Sequence, residues 1–190
     1  MSNGDLYFLY KCISDLLVNP STINSGIVDE YADKLSGLAC RPGGIKEIAS
    51  RIFDFISSLR RIPEEHYVSL FELSPLCPLY LGYYFSRGDE DKRRIYMLQL
   101  KMEYNRHGFK MVEGELPDYL PVVVEFLALS IDRMDPDSRR SFIEKYVLDP
   151  LSSLIKCISG MDSPYSSLLT CIRDILMYEL GVIYSGIGIR

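Results

Sequence analysis

Histidine is scarce in this sequence: His66 and His107 are the only two among 190 residues. Neither has a cysteine or an acid at metal-ligand spacing, and His107 stands where a helix C-terminus favours a cation. Both read as capping or surface residues. Cysteine is limited to Cys12, Cys40, Cys77, Cys157 and Cys171, an odd number at wide spacing without a Cys-x-x-Cys pair. That suggests neither a zinc motif nor a disulfide framework, and predicts buried free thiols in a reducing cytosol. The chain also lacks a Gly-x-Ser-x-Gly elbow, a phosphate loop and a His-Glu-x-x-His helix. Gly43 and Gly44, ahead of Ile45 and Lys46, lack P-loop spacing and read as a helix-entry turn. These absences leave no catalytic residue, no metal ligand set and no cofactor site to nominate.

Basic charge is short as well. Twenty-one Lys and Arg face 26 Asp and Glu, a net charge of −5 and a pI near 5.1. Nucleic-acid binding needs a basic footprint, so that class is disfavoured. The basic runs (Arg60 and Arg61, Lys92 to Arg94, Arg139 and Arg140) fall near expected helix ends and read as solvated caps. No apolar run approaches the ~20 residues of a membrane span. The N-terminus carries no basic region with a cleavage box, so a cytoplasmic location is expected. Without a Pro/Ser/Gly tract or an internal repeat, residues 1–190 read as one domain.

What is present is helical periodicity. Residues 3–18 put Leu6, Leu9, Ile13, Leu16 and Leu17 on one face, before Asn19 and Pro20. Ser21 or Thr22 can cap a second helix to about Ser36, with Ile23, Ile27, Tyr31 and Leu35 at intervals of four and Gly37 as its stop. A third carries Ile45, Ile48, Ile52, Phe55, Ile56 and Leu59; Pro63 then starts a short one. Pro78 to Ser86 is apolar and tyrosine-rich, and Gly88 breaks it. Asp89 caps a long helix with Ile95, Leu98 and Met102 on one face and His107 and Gly108 at its end. Residues 117–132 contain three consecutive valines, but Leu120, Val124, Leu127 and Ile131 keep a helical period. Pro136 opens a helix bent or broken near Pro150, and Pro164 one with Leu168, Ile172, Ile175 and Leu176 inward. The tail from Gly181 has no clear assignment. The expected fold is all-α, a single globular helical domain of about eight or nine helices.

Two features exceed this background. Tyr67, Phe71, Tyr80, Tyr83 and Tyr84 concentrate aromatic rings that suit either peptide recognition or core packing. The second is GELPDYLPVVVEFLA, residues 114–128. Pro121 cannot donate to the carbonyl of Pro117, which leaves an acceptor free at this stiffened junction. Glu115 and Asp118 set two carboxylates beside it. Asp118, Glu125 and Asp132 then recur every seven residues, an acidic stripe opposite the apolar face. The plain alternative is a capped helix start with a solvated acidic side.

The pieces YVSLFEL (67–73), LYLGYYFSRGDEDKR (79–93), LKMEYNRHGFKM (100–111) and ELPDYLPVVVEFLA (115–128) together carry a resemblance. The chain resembles the nitrate reductase delta-chain chaperones (NarJ), within the broader TorD/DmsD group of redox-enzyme maturation proteins. The resemblance implies a TorD-like all-helical cytoplasmic chaperone, not an enzyme. Its partner would be the N-terminal or leader segment of a molybdenum-containing oxidoreductase catalytic subunit, held ready for cofactor insertion. Carried onto this chain, the motif positions are Glu115, Pro117, Asp118, Tyr119, Leu120 and Pro121, with Glu125 beyond them. Many relatives have histidine where Tyr119 stands. With Tyr67, Phe71 and Tyr80 these form the expected peptide-binding set, on a monomer or dimer without membrane insertion. The competing reading is a non-catalytic helical subunit that stays bound in a redox complex.

Overall fold

The computed structural model describes residues 1–59 and 61–181. Its elements are helices: α1 (Asn3–Leu16), α2 (Ser25–Ala39), α3 (Gly44–Leu59), α4 (Glu64–Phe71), α5 (Leu81–Ser86) and α6 (Glu90–Arg106). They continue with α7 (Leu120–Leu129), α8 (Pro136–Phe142), α9 (Leu148–Ile158) and α10 (Tyr165–Glu179). A π-helical turn, Ile143–Val147, joins α8 to α9 without a break, so the described residues form nine helical rods. The one β feature among them is an isolated antiparallel bridge between Tyr80 and Tyr119. The chain is all-α.

Local chemistry accounts for most boundaries. Ser2 and Asp5 form a reciprocal capping box on α1. Asp89 caps α6 through the Lys92 amide, and Asp135 caps α8 through Asp137 and Ser138. Gly43 (φ 100°) and Gly108 (φ 79°) take left-handed turns that suit glycine, one entering α3 and one leaving α6.

The core runs between α1, α3, α7, α9 and α10. Leu9, Ile13, Leu16 and Leu17 are fully buried where α1 lies along α7. Leu120, Val124 and Leu127 answer them from α7, and Leu168, Ile172, Ile175 and Leu176 from α10. All six apolar positions expected on α3 are buried. At roughly 1.5–3 kcal/mol for each such side chain, this burial dominates the stability of the fold.

Several expectations change. Helix α2 starts later, with Asn24 as its cap, and runs through Gly37 to Ala39; Ile27 is exposed and Val28 and Leu38 are buried instead. On helix α6 the face shared by Ile95, Leu98 and Met102 is the solvent side, while Tyr96, Leu100 and Tyr104 face inward. The bend ahead of Pro150 is the π turn, and its cause is the missing proline amide. The carbonyl four residues back, that of Tyr146, accepts instead from the Tyr96 hydroxyl at 2.6 Å.

The cysteine expectation is corrected too. Cys12 and Cys171 are buried and free, but Cys40 is exposed. Cys77 and Cys157 are bonded, 80 residues apart, tying the connection after α4 to α9. Such a pair is invisible to local spacing because only the packing of α9 brings it together. The basic runs are not all solvated caps either: Arg139 is buried, donating to the Leu127 carbonyl and Ser130 hydroxyl and pairing with Glu179. The tail from 182 onward lies outside the described residues.

Candidate functional site

The Glu-Leu-Pro-Asp-Tyr-Leu-Pro segment, residues 115–121, lies across the entrance to α7 and meets the entrance to α5. Two backbone hydrogen bonds zip them together: the Leu81 amide donates to the Asp118 carbonyl at 2.8 Å, and the Leu120 amide to the Leu79 carbonyl at 2.7 Å. These are the bonds of the Tyr80–Tyr119 bridge, and they satisfy amides that each helix start leaves open. Pro121 occupies the first turn of α7, where a missing amide costs little.

The carbonyl of Pro117, expected to be free, is taken. The Tyr104 hydroxyl donates to it at 2.8 Å from α6. Ser14 on α1 donates likewise to the carbonyl of Pro121 at 2.9 Å. The junction is therefore pinned from both sides by side-chain hydroxyls, and that of Tyr104 takes the carbonyl that Pro121 cannot bond.

Asp118 departs furthest from the solvated acidic stripe. It is wholly buried, and it does not cap α7, whose cap position is Tyr119. Its Oδ2 receives the Arg93 guanidinium through Nη2 at 3.2 Å and Nε at 3.3 Å. Its Oδ1 is buried with no hydrogen-bond partner among the described residues. Burial pushes the carboxyl above the usual aspartate range, and Arg93 only partly offsets it. Glycine is required beside it: a Cβ on Gly82 would lie 2.6 Å from Asp118 Oδ2. Arg93 also lies over the Tyr80 ring, 5.7 Å from its centroid.

The aromatic set divides by depth. Tyr67 and Phe71 are buried, in edge-to-face contact with each other and with Tyr165. The Tyr67 hydroxyl donates to the Leu17 carbonyl at 2.9 Å and lies 3.3 Å from that of Tyr119. Tyr80 and Tyr119 are half-buried with ring centroids 5.3 Å apart, and Tyr83 is exposed. Core packing thus explains Tyr67 and Phe71, while Tyr80 and Tyr119 reach the surface.

Two concave surfaces flank the segment. One is lined by Phe109, Met111, Val112, Val122, Phe126 and Leu129, and Glu115, Glu125 and Lys110 stand among them. Glu115 is exposed; Glu125 is 44% exposed along its side chain and pairs with Lys11 at 3.1 Å. The other joins Tyr80, Tyr83, Arg93 and Leu116 with Ser74 and the prolines at 75 and 78. Asp132, last of the expected stripe, instead accepts from Asn3 at 2.8 Å.

The segment therefore unites Glu115, Pro117, Asp118, Tyr119, Leu120, Pro121 and Tyr80 at one junction, with Tyr67 beneath it and Glu125 along α7. Arg93, Gly82 and Tyr104 belong to it as well, though the sequence reading took Arg93 as a cap and did not single out Gly82 or Tyr104. Their signal was present: all three lie in the stretches that carried the resemblance. No three His, Cys, Asp or Glu side chains gather at metal spacing among the described residues. No helix among them is long and apolar enough to cross a membrane.

The family described as Nitrate reductase delta subunit matches residues 45–169. The Probable nitrate reductase molybdenum cofactor assembly chaperone NarJ of Bacillus subtilis is 35% identical over 130 residues, 66% of this chain and 67% of that protein. Nitrate reductase-like protein NarX of Mycobacterium tuberculosis is 28% identical over 171 residues; these span 90% of this chain but only 24% of NarX. The match takes in the α5–α7 junction and most of the core, and the chain belongs to the nitrate reductase delta subunit family.

Proposed function

We propose that this chain is a cytoplasmic assembly chaperone for a molybdenum-containing oxidoreductase, without catalytic activity of its own. It binds the N-terminal or leader segment of the catalytic subunit and keeps that subunit open for cofactor insertion. The observation that carries this reading is the groove between the 109–116 loop and α7. Its apolar floor of Phe109, Val122, Phe126 and Leu129 is bordered by the carboxylates Glu115 and Glu125 and by one cation, Lys110. An amphipathic basic segment matches that pattern, apolar side down and cations against the acids.

Within this reading the residues take two roles. Glu115, Glu125 and the half-buried rings of Tyr80 and Tyr119 touch the client. Pro117, Asp118, Leu120, Pro121, Tyr67 and Phe71 hold that surface in place from beneath. A rigid receptor loses little freedom on binding, which favours affinity.

The test is calorimetric titration of a peptide copying the N-terminus of the nitrate reductase catalytic subunit. Glu115→Gln and Glu125→Gln together are expected to weaken binding by about 1–3 kcal/mol, the usual scale of charge-assisted bonds. Asp132→Ala, outside the groove, serves as the control. Equal affinity in all three proteins would sink the groove as the receptor. Native co-purification separates the chaperone from a resident subunit, because only the subunit stays stoichiometric with cofactor-loaded enzyme.

A further inference from the structure

Helix α6 carries an apolar stripe on its wrong side. Tyr96, Leu100 and Tyr104 already fill the inward face. Ile95, Leu98 and Met102 nevertheless line the outward one, 52%, 57% and 63% exposed. Their spacing of three and four residues puts them in one row along the rod. A solvated helix face has no use for three large apolar side chains in register.

The charges bordering the row identify what covers it. Asp91 stands four residues before Ile95, and Arg106 four residues after Met102. About the midpoint between Leu98 and Gln99, Ile95 mirrors Met102, and Asp91 mirrors Arg106 with opposite charge. Antiparallel, a second α6 would set Ile95 level with the other Met102, and Asp91 level with the other Arg106 at both ends. A surface that complements its own reversed copy is what a two-fold contact requires. Antiparallel helix dipoles add to the attraction. The ion pair Asp91–Arg94 at 2.9 Å is exposed, and in Arg106–Glu103 at 3.1 Å the arginine is exposed, so both cost little to exchange.

We infer that the outward face of α6 is a self-association surface, at which a second copy of this chain docks antiparallel about a two-fold axis near Leu98. None of the three apolar residues lines the groove assigned to the client, so this inference stands apart from the proposed function.

The experiment is sedimentation velocity on the full chain over a concentration series, since association by mass action must depend on concentration. Wild type is expected to shift from monomer to dimer. Leu98→Glu, at an exposed position, is expected to raise the dissociation constant about ten-fold or more. Asp91→Arg alone also weakens the dimer, and Asp91→Arg combined with Arg106→Asp restores it, because both copies then carry the reversed pair. Circular dichroism melts check that each variant folds. A protein monomeric throughout the series overturns the inference. So does a dimer indifferent to Leu98→Glu, or a double reversal no better than the single one. Loss of client-peptide binding by Leu98→Glu in a monomeric protein would assign the stripe to the client instead.

Discussion

Arg93 reaches Asp118 across the helix α5 entrance, and the pair they form is lopsided. The guanidinium bonds Oδ2 alone, at 3.2 and 3.3 Å, while Oδ1 is sealed in without a partner among the described residues. Arg93 remains one-third exposed while Asp118 is wholly buried, so most of the desolvation cost falls on the acid. The motif aspartate is therefore a pivot within the junction, which positions the loop that displays Glu115.

A pH dependence follows from that burial. The folded-state carboxyl of Asp118 titrates above its unfolded value. Between the two values the native state holds more protons at this site than the unfolded chain. Its contribution to stability is therefore full below the ordinary aspartate range, falls as pH rises through the raised value, and is flat beyond. In thermal melts from acid to neutral pH, the advantage of wild type over Asp118→Asn is expected to shrink as pH increases. A difference that grows with pH would mean that Arg93 outweighs burial.

Tyr104→Phe tests the pinning of the proline junction. It strips the donor from the carbonyl of Pro117 while leaving the ring packed against Phe126. The expected loss is about 0.5–1.5 kcal/mol, the usual net worth of a hydrogen bond at a partly buried acceptor. Tyr96→Phe does the same to the carbonyl of Tyr146 at the π turn. Urea denaturation of each single variant measures the two losses.

Gly82→Ala is expected to destabilise by about 1–3 kcal/mol through overpacking. Its methyl would meet Asp118 Oδ2 at 2.6 Å, Arg93 Cγ at 3.1 Å and the Tyr96 ring at 3.2 Å. Pairing it with Asp118→Gly removes the nearest of these obstacles. A double-mutant cycle should therefore show coupling, and strict additivity would place the strain elsewhere.

Thiol titration checks the bridge. In denaturant without reductant, three thiols are expected to react: Cys12, Cys40 and Cys171. In the native state Cys40 should react first, since burial raises both other thiols, Cys171 up to about 12. Reduction of the Cys77–Cys157 bond, which closes a long loop, should lower stability by about 2–4 kcal/mol. Five reactive thiols in unreduced denatured protein would refute the bond.

The sequence by itself determined the fold class, most helix starts and the inward faces of α1, α3, α7 and α10. Those features rest on local causes: apolar spacing, capping side chains, and prolines in a first turn. It also marked residues 114–128 as unusual and placed the chain beside its family. Tertiary structure alone decided which face of α6 is inward, because tyrosines at 96 and 104 found proline-freed carbonyls to bond, and nothing local reveals that demand. It likewise decided that Asp118 is buried and Glu115 displayed, though both are acids three residues apart. The difference is Arg93, brought from 25 residues away by the packing of α5 on α6. Periodicity reads out which residues share a face, but only the neighbour across the gap determines whether that face is core, pivot or surface.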